Sequence, residues 1–86
     1  MRKEAERVLE NVLFDIWHID MRLNAELRGE KLLGDKINMS ARDLVVLLYA
    51  IEEKLDINIK REDIVIGKFD TFDHIIELMC YALQYT

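Results

Sequence analysis

The sequence predicts an all-α domain, a four-helix bundle with three main helices, one short helix and a long first loop. Three segments of the 86-residue chain repeat apolar residues at three- and four-residue spacing, which is the period of one helix face. One short apolar–polar alternation, over residues 56–59, is strand-like, but no other segment offers it a partner strand. Because a chain of this length supports one small core, we predict a single domain over residues 1–86.

The first predicted helix spans residues 3–17. Phe14 and Trp17 widen its apolar side near the end, and we expect these two aromatic rings to close one end of the core. Charged residues occupy the other side, as in a surface helix of a globular protein. The predicted apolar stripe consists of Val8, Leu9, Val12, Leu13 and Ile16.

The helical period is lost over residues 18–39, where Gly29 and Gly34 interrupt a charged segment. Most connections in small domains have about 4–6 residues, so this long loop is unusual. We predict a short helix around Met21 to Leu27 and a tight turn at Asn38, a residue type that tolerates positive φ. The apolar residues expected to pin the loop to the core are Leu23, Leu27, Leu32, Leu33 and Ile37.

The central segment, Asn38 to Asp56, predicts the best-defined helix of the chain. Ser40 is typical of a helix N-cap, because its hydroxyl oxygen accepts a hydrogen bond from a free backbone N–H one turn on. Asp43, three residues later, completes the pattern of a capping box. The face predicted to lie against the core carries Leu44, Leu47, Leu48, Ile51 and Leu55.

Two more elements are predicted after the central helix. Residues 60–66 indicate one short helix or turn, which Gly67 ends. Asp70 or Thr71 is then expected to cap the last helix. The residues of that helix expected to face inward are Phe72, Ile75, Ile76, Met79, Cys80 and Leu83.

Composition and charge exclude several classes of function. The formal net charge is −5, which argues against nucleic acid, since phosphate binding depends on clustered Lys and Arg. Cys80 is the only cysteine, so no internal disulfide is expected. No apolar run approaches the roughly 20 residues needed to span a bilayer, and the charged start of the chain is unlike a secretory signal. We therefore expect a cytoplasmic monomer without membrane partners.

Catalytic and metal motifs are not found. The spacing of His18, Asp20, His74 and Cys80 matches no metal-ligand motif, so we predict no metal site. The sequence contains no Gly-rich phosphate loop and no nucleophile elbow around a serine. We therefore predict that the protein is not an enzyme.

Five short segments of the chain form a pattern: Ala5-Glu6-Arg7-Val8, Ile37-Asn38, Val45 to Leu55, Asp56-Ile57-Asn58-Ile59 and Asp70-Thr71-Phe72. In this order they resemble segments of the acyl carrier protein family. They match its first helix, the end of its long loop, its second helix, its entry to the short third helix and the start of its fourth. The resemblance implies the four-helix fold of that family.

The resemblance also implies where a prosthetic group belongs. In the family, a transferase attaches 4′-phosphopantetheine to the serine of an Asp-Ser-Leu motif at the start of the second helix. With the helices in register, Ala41 falls on that serine, Ser40 on the aspartate and Arg42 on the leucine. We therefore predict that the attachment serine is displaced or lost and that Ser40 is a cap. The alternative is a 4′-phosphopantetheine arm on Ser40, loaded by a phosphopantetheinyl transferase.

The resemblance implies that the partners are biosynthetic enzymes. The chain also resembles a divergent group of carrier-related proteins that accompany bacterial peptide-maturation enzymes, which would then be its partners. The second helix is more apolar near its start than the usual partner-binding helix of the family, which favours one dedicated partner. The residues predicted to contact it are Arg42, Val45, Val46, Glu52 and Glu53. Two alternatives remain open: a working acyl or peptidyl carrier, and a helical dimerisation module of unrelated descent.

Overall fold

Four α-helices and one 3₁₀-helix follow one another in the computed structural model, which describes residues 2–65 and 67–84. The α-helices are α1 (Arg2–Trp17), α2 (Ala41–Leu55), α3 (Arg61–Val65) and α4 (Phe72–Gln84), and the 3₁₀-helix is Ala25–Gly29. The described residues contain no β-strand, only an isolated bridge between Lys31 and Thr71. The all-α prediction is confirmed for this part of the chain. Ile66, the last residue of the predicted 60–66 element, lies outside it.

One hydrophobic core joins the helices. Helix α1 packs against both α2 and α4, and the 3₁₀-helix packs against α4. The predicted inner faces of α2 and α4 are confirmed: three residues of the α2 stripe and four of the α4 stripe are buried, and the others are partly buried. The largest fully buried side chains are Phe72, Leu9, Leu13, Met21, Leu32, Leu47, Ile51, Ile75, Ile76 and Met79.

The end of α1 differs in part from the prediction, although Trp17 is partly buried against the core as expected. Leu9, Val12 and Leu13 are buried as expected, but Ile16 and Phe14 are about half exposed. Phe14 lies on the opposite face of the helix, where its ring contacts His18 edge-on at 5.9 Å. Ile16 lies on the correct face but in the last turn. Helical spacing identifies the buried face, but it does not show how far along the helix the core extends.

The start of the long loop forms a turn in place of the predicted helix around Met21 to Leu27. The Asp20 carboxylate accepts hydrogen bonds from the backbone N–H groups of Arg22 at 3.0 Å and Leu23 at 3.1 Å. An aspartate that bonds to the backbone two and three residues on stabilises a turn and competes with a helix. The only helical element in the loop therefore begins later, at Ala25.

The loop is held by fewer apolar residues than predicted. Leu32 is fully buried, and Leu27 and Ile37 are partly buried against the core, so these three predictions are confirmed. The prediction is wrong for Leu23, which is 81% exposed, and for Leu33, which is 52% exposed. Backbone hydrogen bonds fix the position of Leu32: its N–H donates to the Asp70 carbonyl, and its carbonyl accepts from the Met39 N–H, both at 2.8 Å.

The turns that frame α2 and α4 follow from local sequence. Asn38 has a φ of 60°, so the predicted turn with positive φ is confirmed, and Asp56 ends α2 with a φ of 53°. Thr71 is the residue that caps α4, because its hydroxyl oxygen accepts a hydrogen bond from the His74 N–H at 3.1 Å. Residues 57 and 59 are buried without forming a strand, and they lead into α3.

Candidate functional site

The candidate site begins at Ser40, which caps α2 in a complete capping box. The Ser40 hydroxyl oxygen accepts a hydrogen bond from the Asp43 N–H at 3.1 Å, and the Asp43 carboxylate accepts one from the Ser40 N–H at 2.9 Å. Two hydrogen bonds lower the pKa of Asp43 below its ordinary value of 3.8. The bond from the Ser40 N–H contributes most, and the bond from the Trp17 indole comes next. Both parts of the predicted capping box are confirmed.

Ala41, the first residue of α2, lines an open apolar cleft of about 380 Å³. The cleft lies between the start of α2, the long loop and the segment around α3. Lys31 and Asp70 are its charged lining residues. Its apolar walls are formed by Leu33, Leu44, Val45, Leu48, Ile64 and Phe69. A cleft with mostly apolar walls and a few polar groups has the general character of a binding site.

The surface of α2 beside this cleft presents an apolar band to solvent. Val45 is 50% exposed, Val46 is 43% exposed and Tyr49 is 55% exposed. Arg42 precedes these residues and Glu53 follows them, and both are exposed. We call Arg42, Val45, Val46, Tyr49 and Glu53 the α2 outer face, because their spacing places them on one side of the helix. Tyr49 is not among the residues predicted to contact a partner, although it lies four residues after Val45 and three after Val46.

The two glutamates predicted to contact a partner differ in their surroundings. Glu53 is exposed on the α2 outer face. Glu52 is partly buried, and its carboxylate accepts a hydrogen bond from the Ile59 N–H at 2.9 Å. The Glu52 side chain therefore stabilises the turn that follows α2, a structural role distinct from the predicted partner contact.

At the other side of the cleft, Asp70 forms an ion pair with His74. The Asp70 carboxylate is 2.6 Å from Nδ1 of His74, one helical turn away. This contact, with smaller contributions from Glu77 and Asp73, raises the pKa of His74 above its ordinary value of 6.5. The Asp70 carbonyl also accepts the hydrogen bond from the Leu32 N–H, so the ion pair lies where the long loop contacts the residues just before α4.

This ion pair predicts a pH dependence of stability. A raised pKa means that the protonated imidazole stabilises the fold below pH 6.5, and this contribution is lost as the pH rises through the raised pKa. We expect the urea midpoint of unfolding to fall over that range. His74→Gln should remove this part of the pH dependence, whereas His18→Asn, which removes the other imidazole, should retain it. An unchanged pH profile in His74→Gln would contradict the prediction.

A second cleft is a weaker candidate for a binding site. A larger cleft, of about 630 Å³, lies between α3 and α4, but most of its lining side chains are charged, including Lys60, Lys68 and Glu77. Within the described residues, no group of three or more His, Cys, Asp or Glu side chains is arranged to hold a metal ion. None of the helices in that part of the chain is long and apolar enough to cross a bilayer.

In comparisons with known proteins, no family model, no curated protein and no solved structure matches the chain.

Proposed function

We propose that the protein is a non-catalytic relative of acyl carrier proteins that docks on biosynthetic or peptide-maturation enzymes. The order of elements supports this proposal: a long loop precedes α2, and a short α3 precedes α4. Asn38 supports it too, since its positive φ suits the position where the family has a glycine. These features favour carrier descent over an unrelated dimerisation module.

The observation that carries the proposal is the residue at the start of α2. Ala41 occupies the first helical position and lines the apolar cleft, and by the in-register resemblance the family has its attachment serine there. A methyl group offers no nucleophile for the transfer of a phosphopantetheine arm. The neighbouring hydroxyl, that of Ser40, is bonded in the capping box, which accounts for the presence of this serine without a prosthetic group.

The α2 outer face and the adjacent cleft are the proposed docking surface. Scattered apolar residues are ordinary on protein surfaces, but a contiguous exposed patch is typical of an interaction site. Val45, Val46 and Tyr49 form such a patch on one helix, and Leu33 and Val45 extend it into the cleft. Arg42 and Glu53 at its ends give a partner charged contacts that fix its orientation.

Loading with 4′-phosphopantetheine separates this proposal from the alternative of a working carrier. We expect no change in intact mass when the wild type is incubated with a broad-specificity phosphopantetheinyl transferase and coenzyme A, while a control carrier gains one arm. The triple variant S40D/A41S/R42L rebuilds the Asp-Ser-Leu motif and keeps a capping residue at position 40. We expect this variant to gain the arm.

The contrary result of the loading experiment is equally specific. An arm on the wild type that is missing from Ser40→Ala would establish a carrier with its prosthetic group on Ser40. The Ser40→Ala variant loses the cap, at a cost of about 1 kcal/mol, so its folding is checked by circular dichroism before the comparison.

Docking is tested by photocrosslinking in the native host. We expect a photoreactive amino acid in place of Val46, on the α2 outer face, to crosslink the protein to a biosynthetic or peptide-maturation enzyme. The matched control replaces Asp15, an exposed residue of α1, and should not give that product. The same products from both positions would contradict docking through α2.

A further inference from the structure

We infer that a second copy of this chain binds antiparallel across the α2 outer face, forming a weak dimer with twofold symmetry. The inference goes beyond the proposed function, because it depends only on the surface of α2 and not on carrier descent. It also replaces the monomer expected from the sequence with an equilibrium between one and two copies.

The α2 outer face is complementary to itself. Its centre is apolar, one end carries the positive charge of Arg42, and the other end carries the negative charge of Glu53. Suppose that the twofold axis crosses the α2 outer face at the level of residues 47 and 48, midway between Arg42 and Glu53. Val46 then lies opposite Tyr49 of the second copy, because positions 46 and 49 are equally distant from that midpoint. The same operation places Arg42 opposite Glu53, twice per dimer. Such matching of one patch with itself is what a twofold interface requires.

The positions of the two charges support an antiparallel neighbour. A basic residue in the first turn of a helix and an acidic residue in the last turn both oppose the dipole of their own helix. Arg42 lies in the first turn of α2 and Glu53 in the last, so each is unfavourably placed within its own chain. In the antiparallel pair, each charge lies at the end of the partner helix that attracts it.

Neither charge is held in an ion pair by the described part of its own chain. Among the described residues, Arg42 and Glu53 form no ion pair, although Glu6, Glu10, Glu30 and Asp70 all do. An ion pair between copies therefore breaks no ion pair of the described fold. Pairing Arg42 with Glu53 of the second copy uses the charges that the fold leaves to solvent.

The size of the face limits the strength of the dimer. The helix rises about 1.5 Å per residue, so the face from Arg42 to Glu53 is roughly 16 Å long. A contact of one helix with one helix buries less area than the roughly 1,200–2,000 Å² of stable complexes. We therefore expect a dissociation constant on the order of 100 µM. Self-association at this strength leaves the monomer dominant in dilute solution.

Charge reversal combined with mixing tests this interface. Sedimentation equilibrium of the purified wild type from about 10 µM to about 1 mM should show a reversible dimer. Arg42→Glu and Glu53→Arg each place like charges together, and each should weaken association by roughly tenfold or more. An equimolar mixture of these two variants restores both pairs as a heterodimer. The double variant R42E/E53R restores them in a homodimer.

The outcomes distinguish the interface from a folding defect and from other contacts. Recovery on mixing supports the inference, because two poorly folded variants would not restore each other. A wild type that stays monomeric to about 1 mM overturns it, and the face then serves only the enzyme partner proposed above. Association that neither single variant weakens, or that mixing does not restore, also overturns it. The purified chain suffices, so the result is independent of the loading experiment.

Discussion

Replacing Leu32 with alanine is expected to lower the free energy of unfolding by roughly 2–5 kcal/mol. The Leu32 side chain is fully buried, so its removal leaves a cavity in the core as well as losing apolar burial. A small domain has a total stability of about 5–15 kcal/mol, so the loss is a large part of it. Equilibrium unfolding in urea, followed by circular dichroism, measures the change.

The adjacent residue provides a matched control for this prediction. Leu33 is the same residue type in the same loop, but it is 52% exposed, and Leu23 is 81% exposed. Leu33→Ala and Leu23→Ala are each expected to change stability by less than about 0.5 kcal/mol, as surface substitutions do. Equal losses from Leu32→Ala and Leu33→Ala would show that the loop is not anchored through Leu32.

Where short-range rules act alone, the sequence predicted the fold well. The cap of α2 depends on two side chains three residues apart, Ser40 and Asp43, and both hydrogen bonds are present. The turn at Asn38 depends on that residue's tolerance of positive φ. The buried stripes of α2 and α4 follow from helical period, which is strong in long, regular elements.

Prediction failed in the long loop because apolar character alone does not decide burial there. Leu32 and Leu33 differ in burial although they are identical and adjacent. The difference arises from two backbone hydrogen bonds of Leu32. One joins it to Asp70, which is distant in sequence, and the other joins it to Met39, on the far side of the turn at Asn38. A loop has no repeating geometry that would assign alternate residues to the core.

The candidate site was predicted in part for the same reason. Val45 and Val46 are predicted from their positions on α2 to contact a partner, and both are about half exposed. Tyr49 was not predicted, although helical spacing places it on the same face as the two valines. The cleft could not be foreseen, since its walls come from the long loop, α2 and the segment around α3.

The second large effect is expected where the long loop meets α1, at the ion pair between Glu10 and Arg28. The Glu10 carboxylate lies 2.5 Å from Nη2 of Arg28 and also accepts a hydrogen bond from Nε of Arg22 at 3.1 Å. Only 12% of the Glu10 side chain and 25% of the Arg28 side chain are exposed. The Arg28 guanidinium also lies 4.5 Å from the centre of the buried Phe72 ring.

Glu10→Gln is expected to lower the free energy of unfolding by about 1.5–3 kcal/mol, the range for a hydrogen bond to a charged group. The glutamine keeps the shape but leaves the Arg28 charge largely shielded from water without its closest carboxylate, so the loss exceeds that of an exposed pair. Urea unfolding of the purified variant measures it. Glu6→Gln is the matched control: Glu6 is 3.6 Å from Arg28 and 29% exposed, and its loss should stay below about 1 kcal/mol.

A double-mutant cycle shows whether the loss belongs to this pair. Arg28→Met removes the charge but keeps an unbranched apolar side chain against Phe72, so much of the packing is retained. If the pair couples the loop to α1, Glu10→Gln should cost about 1 kcal/mol less in the Arg28→Met background than in the wild type. Equal costs in both backgrounds would mean that Glu10 acts through Arg22 instead. Since the Arg22 side chain is 59% exposed and the Arg28 side chain only 25%, we expect the coupling to Arg28 to be the larger.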